Sequence, residues 1–222
     1  ALEFWSSRLA DAGIVSTRDG DRLRFEDPEG LAHELIAADV PDAPLIAAHP
    51  DVPAEVALRG FDGVRAYSDR PDRSAAALAD VLNFGVRPDD TATFEARGRQ
   101  RGATYAYDPA PAERGMQGAG TVHHVAWSAA LDEIEGWQRR VTGAGLHATP
   151  VIDRFYFRSV YFREPSGVLF EIATRGPGFA VDEDPSTLGE SVALPPFLEA
   201  RRAEIERALT PLPTPRRPAP GA

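Results

Sequence analysis

Tyr161-Phe-Arg-Glu-Pro-Ser-Gly-Val-Leu-Phe-Glu-Ile172 is the stretch on which the reading of the chain turns. Glu164-Pro165 with Gly167 two residues on is a tight-turn signal, because Pro presets φ at the first turn position and Gly accepts a positive φ. Residues suited to strands flank it on both sides, so the stretch predicts a hairpin. The same pattern stands earlier: Phe25-Glu-Asp-Pro-Glu-Gly30, then Leu31-Ala-His-Glu-Leu35, parallels Phe162-Arg-Glu-Pro-Ser-Gly167, then Val168-Leu-Phe-Glu-Ile172. Upstream of each, Leu2-Glu-Phe-Trp5 with Arg8-Leu-Ala-Asp-Ala-Gly13 matches Ile134-Glu-Gly-Trp137 with Arg140-Val-Thr-Gly-Ala-Gly145. Gly13 and Gly145 suit the left-handed position that ends a helix, and Asp19-Gly20 is a hairpin turn. A helix, a hairpin and a final strand recurring in one order mark an internal duplication.

The repeated unit reads as strand, helix and three strands, a βαβββ module, which places the chain in the α+β class with about two and a half modules. A further copy begins at Phe61-Asp-Gly-Val-Arg-Ala-Tyr67; Asp72 is the expected N-cap of a helix from Arg73 to Leu82, where Ala77, Leu78, Val81 and Leu82 recur at helical spacing. Its strands are expected over Ala92–Ala96 and Ala103–Tyr107. The expected organisation is residues 1–38, a module without its first strand left from an N-terminal domain; 39–58, a Pro- and Ala-rich linker; 59–190, a C-terminal domain of two modules; and 191–222, a terminal helix and tail. The helix, Pro196 to Leu209, is expected to pack through Phe197, Leu198, Ile205 and Leu209, while Pro211–Ala222 lacks the apolar surface to order itself. Because Ala1 already stands inside a helical pattern, an upstream segment is expected to be missing.

With 222 residues and 43% hydrophobic content the chain can bury a sizeable core. A net charge of -10 argues against a nucleic-acid partner, whose phosphates demand clustered Lys and Arg, and favours a small molecule. The absence of cysteine excludes disulfides, thiolate metal sites and Cys nucleophiles, and fits a cytoplasmic location. No apolar stretch reaches membrane-spanning length and no secretory signal is visible.

The candidate chemistry centres on Thr121-Val-His-His-Val-Ala-Trp127 and Glu171. In a strand His123 and His124 point to opposite faces, so only one is a good metal ligand, and alternation alone does not say which. A histidine in a strand is more often a hydrogen-bonded core or rim residue. Glu171 shifts that weighting, because a carboxylate between Phe170 and Ile172 is rarely buried unless paired or bound to metal; Arg154, Arg158 or Arg163 could supply the pairing. Tyr161, which shares a strand face with Ser159 and Arg163, could donate or accept a proton beside a metal, and an Arg could stabilise an anionic oxygen, although cation–π pairs on a surface hairpin explain the same residues.

His123-His-Val-Ala, Thr149-Pro-Val-Ile-Asp-Arg154, Tyr161 to Glu171 and Pro177-Gly-Phe-Ala-Val-Asp-Glu-Asp184 together resemble the ring-cleaving dioxygenases of the vicinal oxygen chelate (glyoxalase/bleomycin resistance/dioxygenase) superfamily, nearest their hydroquinone branch. The resemblance implies paired βαβββ modules whose curved sheets enclose a metal, usually Fe(II), with Mn(II) or another divalent ion as the alternative. It implies that His124 and Glu171 are metal ligands and that Arg154, Tyr161 and His123 lie near the substrate oxygens, His123 ranking last because of strand alternation. The remaining His ligand of this branch comes from the opening strand of the first unit. Gly63 stands where His124 does, Asp62 where His123 does, and Glu34 takes the place of Glu171 in a structural or vestigial role.

The function expected is therefore that of an iron(II)-dependent dioxygenase cleaving a hydroquinone- or catechol-like ring with O2, incomplete in this fragment, with a small aromatic substrate and O2 as partners and association into a homo-oligomer allowed. A glyoxalase-like metal-dependent isomerase or lyase, and a non-catalytic small-molecule-binding module of the same superfamily, are the alternatives. Two protein ligands seldom hold a divalent metal well, so the chain alone is expected to bind iron poorly.

Overall fold

Asp27 and Glu164 build the same turn with one carboxylate each. Asp27 Oδ1 accepts the backbone N–H groups of Glu29 and Leu31, both at 2.9 Å. Glu164 takes Ser166 N–H on one oxygen at 2.9 Å and Val168 N–H on the other at 3.0 Å. Gly30 and Gly167 adopt φ of 86° and 98°, the left-handed backbone that glycine tolerates. Glu164 is 2% exposed, so its carboxylate, cut off from water, is satisfied by the turn amides. The duplication is thus one piece of turn chemistry used twice.

A computed structural model of the chain describes residues 1–88, 90–98, 101–113, 115–118 and 120–211. These form two compact units, Ala1–His123 and His124–Ala222. In the first, α1 (Leu2–Asp11) precedes β1 (Ser16–Asp19), β2 (Arg22–Glu26) and β3 (Ala32–Ile36), a sheet in that order. Leu2 and Leu9 of α1 bury themselves against Leu23, with Trp5, Ile14, Phe25 and Leu35 around them. A second sheet follows: β4 (Gly63–Tyr67), α2 (Asp72–Ala76) continuing as a π-helical turn (Ala77–Val81), β5 (Gly85–Arg87), β6 (Asp90–Arg97) and β7 (Gly102–Asp108), ordered β4-β7-β6-β5. The second unit repeats that topology with β8 (Val125–Ala129), α3 (Ile134–Gly143), β9 (Ile152–Asp153), β10 (Arg158–Arg163) and β11 (Leu169–Thr174), ordered β8-β11-β10-β9. In both four-stranded sheets the opening strand runs parallel to the last and the other pairs are antiparallel. These are βαβββ modules, as the repeat predicts.

Residues 39–58 are tied into the first unit. Arg97 Nη1 meets Asp42 Oδ1 at 2.9 Å, Gly102 N–H donates to Asp42 at 3.0 Å, and Trp5 Nε1 donates to the Val56 carbonyl at 2.8 Å.

Three local expectations are corrected. Asp72 is the first helical residue rather than the N-cap, which is Pro71, and the Asp72 carboxylate instead accepts from the Arg70 guanidinium. The strand expected over Thr121–Trp127 begins only at Val125, because pairing with β11 starts at Val125↔Phe170. The terminal helix is split into a 3₁₀ segment (Pro196–Arg201) and α4 (Arg202–Ala208), neither with a buried residue. Phe197 and Leu209 are exposed, because the helix carries too few apolar residues on one side and is laced instead by Arg202–Glu199 and Arg202–Glu206 pairs. The tail expected to be unordered lies, from residue 212 on, outside the described residues. Among the described residues no helix is long and apolar enough to cross a membrane.

In the second unit alternation sorts the sheet into two faces. Val125, Val160, Phe162, Phe170 and Ile172 pack under α3, whose Ile134 and Val141 are fully buried, and Phe170 meets the Trp127 and Phe162 rings at 5.6 and 5.8 Å. The opposite face carries the polar residues.

Candidate functional site

Register brings the polar residues together. Glu171 is paired with Tyr161 on one side and with Ala126 on the other. Ser159 lies two residues before Tyr161 on β10 and His124 two before Ala126, so all four side chains issue from the face that α3 leaves open. Tyr161 is further fixed by Thr149, whose N–H donates to the Tyr161 carbonyl at 2.9 Å and whose hydroxyl accepts the Tyr161 N–H at 3.0 Å.

Glu171, 3% exposed, is the centre of the cluster. Its Oε1 accepts the Ser159 hydroxyl and, at 2.6 Å, the Tyr161 hydroxyl. Its Oε2 lies 2.8 Å from His124 Nε2. The His124 and Tyr161 rings meet edge to face at 5.9 Å, and the Arg154 guanidinium carbon lies 5.6 Å from the Tyr161 ring centroid. A buried carboxylate needs such partners, and here they are an imidazole and two hydroxyls. The alternative pairing with Arg158 or Arg163 is set aside, since Arg158 pairs with Glu135 at 2.6 Å and Arg163 donates to the Gly167 carbonyl at 2.7 Å.

Of the residues singled out from sequence, the structure gathers His124, Glu171, Tyr161 and Arg154. His123 precedes the ladder, is exposed, and is the last residue of the first unit. The Ser159 bond to Glu171 was readable from alternation, since Ser159 shares a face with Tyr161, but a lone serine carries no chemical signal of its own.

The other modules show what the same rungs hold elsewhere. Arg24 faces Glu34 across β2 and β3 as Tyr161 faces Glu171. Glu34 accepts Arg22 at 2.5 Å and Arg24 at 2.8 Å; burial works to raise its pKa, but the Arg24 hydrogen bond and the Arg22 charge hold it below the ordinary carboxylate range. In the middle module the equivalent rung is Thr93 and Ala106, with no carboxylate. There Gly63 lies so close to Thr104 that an added Cβ would overlap its carbonyl and hydroxyl oxygens. No side chain fits where the third module carries His124.

His124 Nε2 and Glu171 Oε2 are donors of the kinds that first-row divalent metals accept, and they already face each other. They fit two positions of a metal site. No group of three or more His, Cys, Asp or Glu able to hold an ion occurs among the described residues.

A family model described as the Glyoxalase/Bleomycin resistance protein/Dioxygenase superfamily matches residues 60–172. The chain is 38% identical over 218 residues to the Bacillus subtilis (strain 168) protein named "Putative ring-cleaving dioxygenase MhqO", covering 95% of this chain and 69% of that protein. It is 32% identical over 223 residues to the chlorohydroquinone/hydroquinone 1,2-dioxygenase of Sphingobium indicum, covering 94% of this chain and 68% of that one. Among solved structures, a Bacillus subtilis protein named as a "putative dioxygenase" superposes with a TM-score of 0.85 at 37% identity over 95% of this chain and 70% of that one.

Proposed function

Because the chain belongs to the glyoxalase/bleomycin resistance protein/dioxygenase superfamily, we propose that it serves an iron(II)-dependent dioxygenase reaction that opens the ring of a hydroquinone- or catechol-like substrate with O2. The observation that carries this reading is Glu171, a carboxylate enclosed on a strand and facing an imidazole nitrogen at 2.8 Å. Its relatives' names supply the reaction class.

His124 Nε2 and Glu171 Oε2 are the atoms that would hold the metal. When bound, iron(II), or manganese(II) in its place, would supply Lewis acidity and a one-electron redox couple, and a redox-inert divalent ion Lewis acidity alone.

The remaining steps belong to the chain's own side chains. Ser159 and Tyr161 donate to Glu171 Oε1, which orients the carboxylate and leaves Oε2 toward His124. Tyr161 donates its proton to Glu171 at 2.6 Å, which leaves the lone pairs of its oxygen to accept a hydrogen bond from a substrate hydroxyl and orient it while Glu171 stays anionic. The exposed guanidinium of Arg154, over the Tyr161 ring, offsets the negative charge left on the substrate oxygen. His123 ranks behind Tyr161 for the contact with the substrate hydroxyl, being exposed and outside the ladder.

Because two protein ligands hold a divalent ion weakly, the test is an oxygen electrode with the chain kept anaerobically in excess Fe(II) and then given hydroquinone. One O2 consumed per ring-opened product supports the reading. Conversion of a hemithioacetal without O2 uptake, or hydroquinone binding that survives Glu171→Ala undiminished, overturns it in favour of an isomerase or a binding module.

A further inference from the structure

Arg154 is held from outside its sheet. β9 is two residues long and makes two register pairs with β10, Asp153↔Arg158 and Ile152↔Ser159, so the ladder ends one residue before Arg154. Next comes Phe155 at φ 72°, a backbone that bulky L-residues avoid and that persists only where the surroundings over-determine it.

Two bonds inside the turn contribute. Asp153 Oδ1 accepts the Phe155 N–H at 2.7 Å, and the Arg154 N–H donates to the Phe157 carbonyl at 2.8 Å. The remaining constraints converge on Tyr156 from a segment some twenty residues on. Its carbonyl accepts the Gly178 N–H at 2.8 Å, its hydroxyl donates to Asp182 Oδ2 at 3.0 Å, and its ring lies 5.4 Å from that of Phe179. Phe155 sets its own ring edge-on to Tyr156 at 5.0 Å. Burial, and then the Asp182 carboxylate, raise the Tyr156 pKa, so the hydroxyl remains a donor at physiological pH.

We propose that Tyr156, clasped by Gly178, Phe179 and Asp182, is a positioning residue that holds the Asp153–Arg158 turn in its left-handed form and so keeps the Arg154 guanidinium over the Tyr161 ring. Its weight in catalysis rests on the reading of Arg154 given above; its effect on where Arg154 sits does not.

A guanidinium over an aromatic face is shifted upfield by the ring current, so the Arg154 Nε–Hε resonance reports its own placement. Arg154→Lys identifies the peak, and Tyr161→Leu should move it to the position of a free arginine. Tyr156→Ala should do the same, and Tyr156→Phe and Asp182→Asn should move it part of the way, with the Ile172 methyl signals unchanged. A peak that keeps its position in both Tyr156→Phe and Asp182→Asn, or that ignores Tyr161→Leu, overturns the proposal. Each of the two milder variants alters only one end of the hydroxyl–carboxylate bond, so the result stands even if Tyr156→Ala does not fold.

Hydroquinone turnover plays no part in that spectrum, so a failure of the ring-cleavage reading is recognised separately. Where turnover is present, Tyr156→Phe should lower kcat by about tenfold with Arg154 in place and leave it unchanged in an Arg154→Ala background. An equal loss in both backgrounds places the effect elsewhere and overturns the positioning role.

Discussion

Glu34 and Glu171 stand on the same rung of the same hairpin in two modules and are satisfied by opposite chemistry. Two guanidinium groups neutralise Glu34, whereas Glu171 meets one imidazole and two hydroxyls. An arginine pair consumes a carboxylate's charge; hydroxyls orient it and leave it able to bind a cation.

That contrast separates the two glutamates by experiment. Glu171→Gln keeps the shape but removes the anionic donor, and O2 uptake with hydroquinone should fall by about 100-fold or more. Glu34→Gln should leave turnover at the parental level. Equal activity losses in the two variants would mean that the polar cluster is not the site.

Glu34 should reveal itself through acid sensitivity. Its folded pKa lies below the ordinary value, so it stays charged where the unfolded chain has already taken up a proton. The stability it contributes is therefore present above the unfolded value and is lost as pH falls through the folded one. Asp108 and Asp42 of the same unit lie low for the same reason, each hydrogen-bonded first of all by an arginine, Arg65 and Arg97. Thermal unfolding should show Glu34→Gln below the parent at neutral pH, with the gap closing in acid. A gap that stays constant with pH would contradict the assignment.

The parts of this structure that were legible in the sequence share a short range. The turns at Asp27 and Glu164 are written in Pro and Gly placements, and the anomaly of Glu171 between Phe170 and Ile172 is visible without coordinates. What was not legible depends on contacts across the chain. Val125 begins β8 because pairing with β11 starts at Phe170, and no residue type marks that limit. Arg154 is placed by a segment more than twenty residues away acting through Tyr156, and the left-handed Phe155 contradicts local preference. The terminal helix half-buries Leu198 and Ile205 but leaves Phe197 and Leu209 in solvent, because four apolar residues so spaced are too sparse to make a full apolar stripe.

Tyr161→Phe probes the contact with the substrate hydroxyl. Ser159 still donates to Glu171 Oε1, so the fold should lose only about 1 kcal/mol. If the Tyr161 oxygen accepts the substrate hydroxyl and orients it, kcat should fall by about 100-fold or more. Steady-state kinetics with unchanged kcat would remove Tyr161 from the reaction.

Phe170 is fully buried between the rings of Trp127 and Phe162, on the face opposite Glu171. Phe170→Ala should cost about 3–5 kcal/mol, read by urea denaturation. A loss under about 1 kcal/mol would mean that this core is not packed as described.

Gly63 tests why the middle module has no counterpart of His124. Any Cβ there would overlap the Thr104 carbonyl, a backbone atom that cannot move without breaking the β4–β7 pairing. Gly63→Ala should therefore destabilise the chain, by about 1–3 kcal/mol for an overpacked site. Gly85 is the control: it also lies in a strand of that sheet, but its added Cβ would meet Glu95 only at 3.8 Å, an ordinary contact. Gly85→Ala should be neutral or slightly stabilising, since alanine loses less backbone freedom on folding. Matching urea midpoints for the two variants would show that the close approach at Gly63 is relieved at no cost, and that the middle module lacks its histidine for some reason other than space.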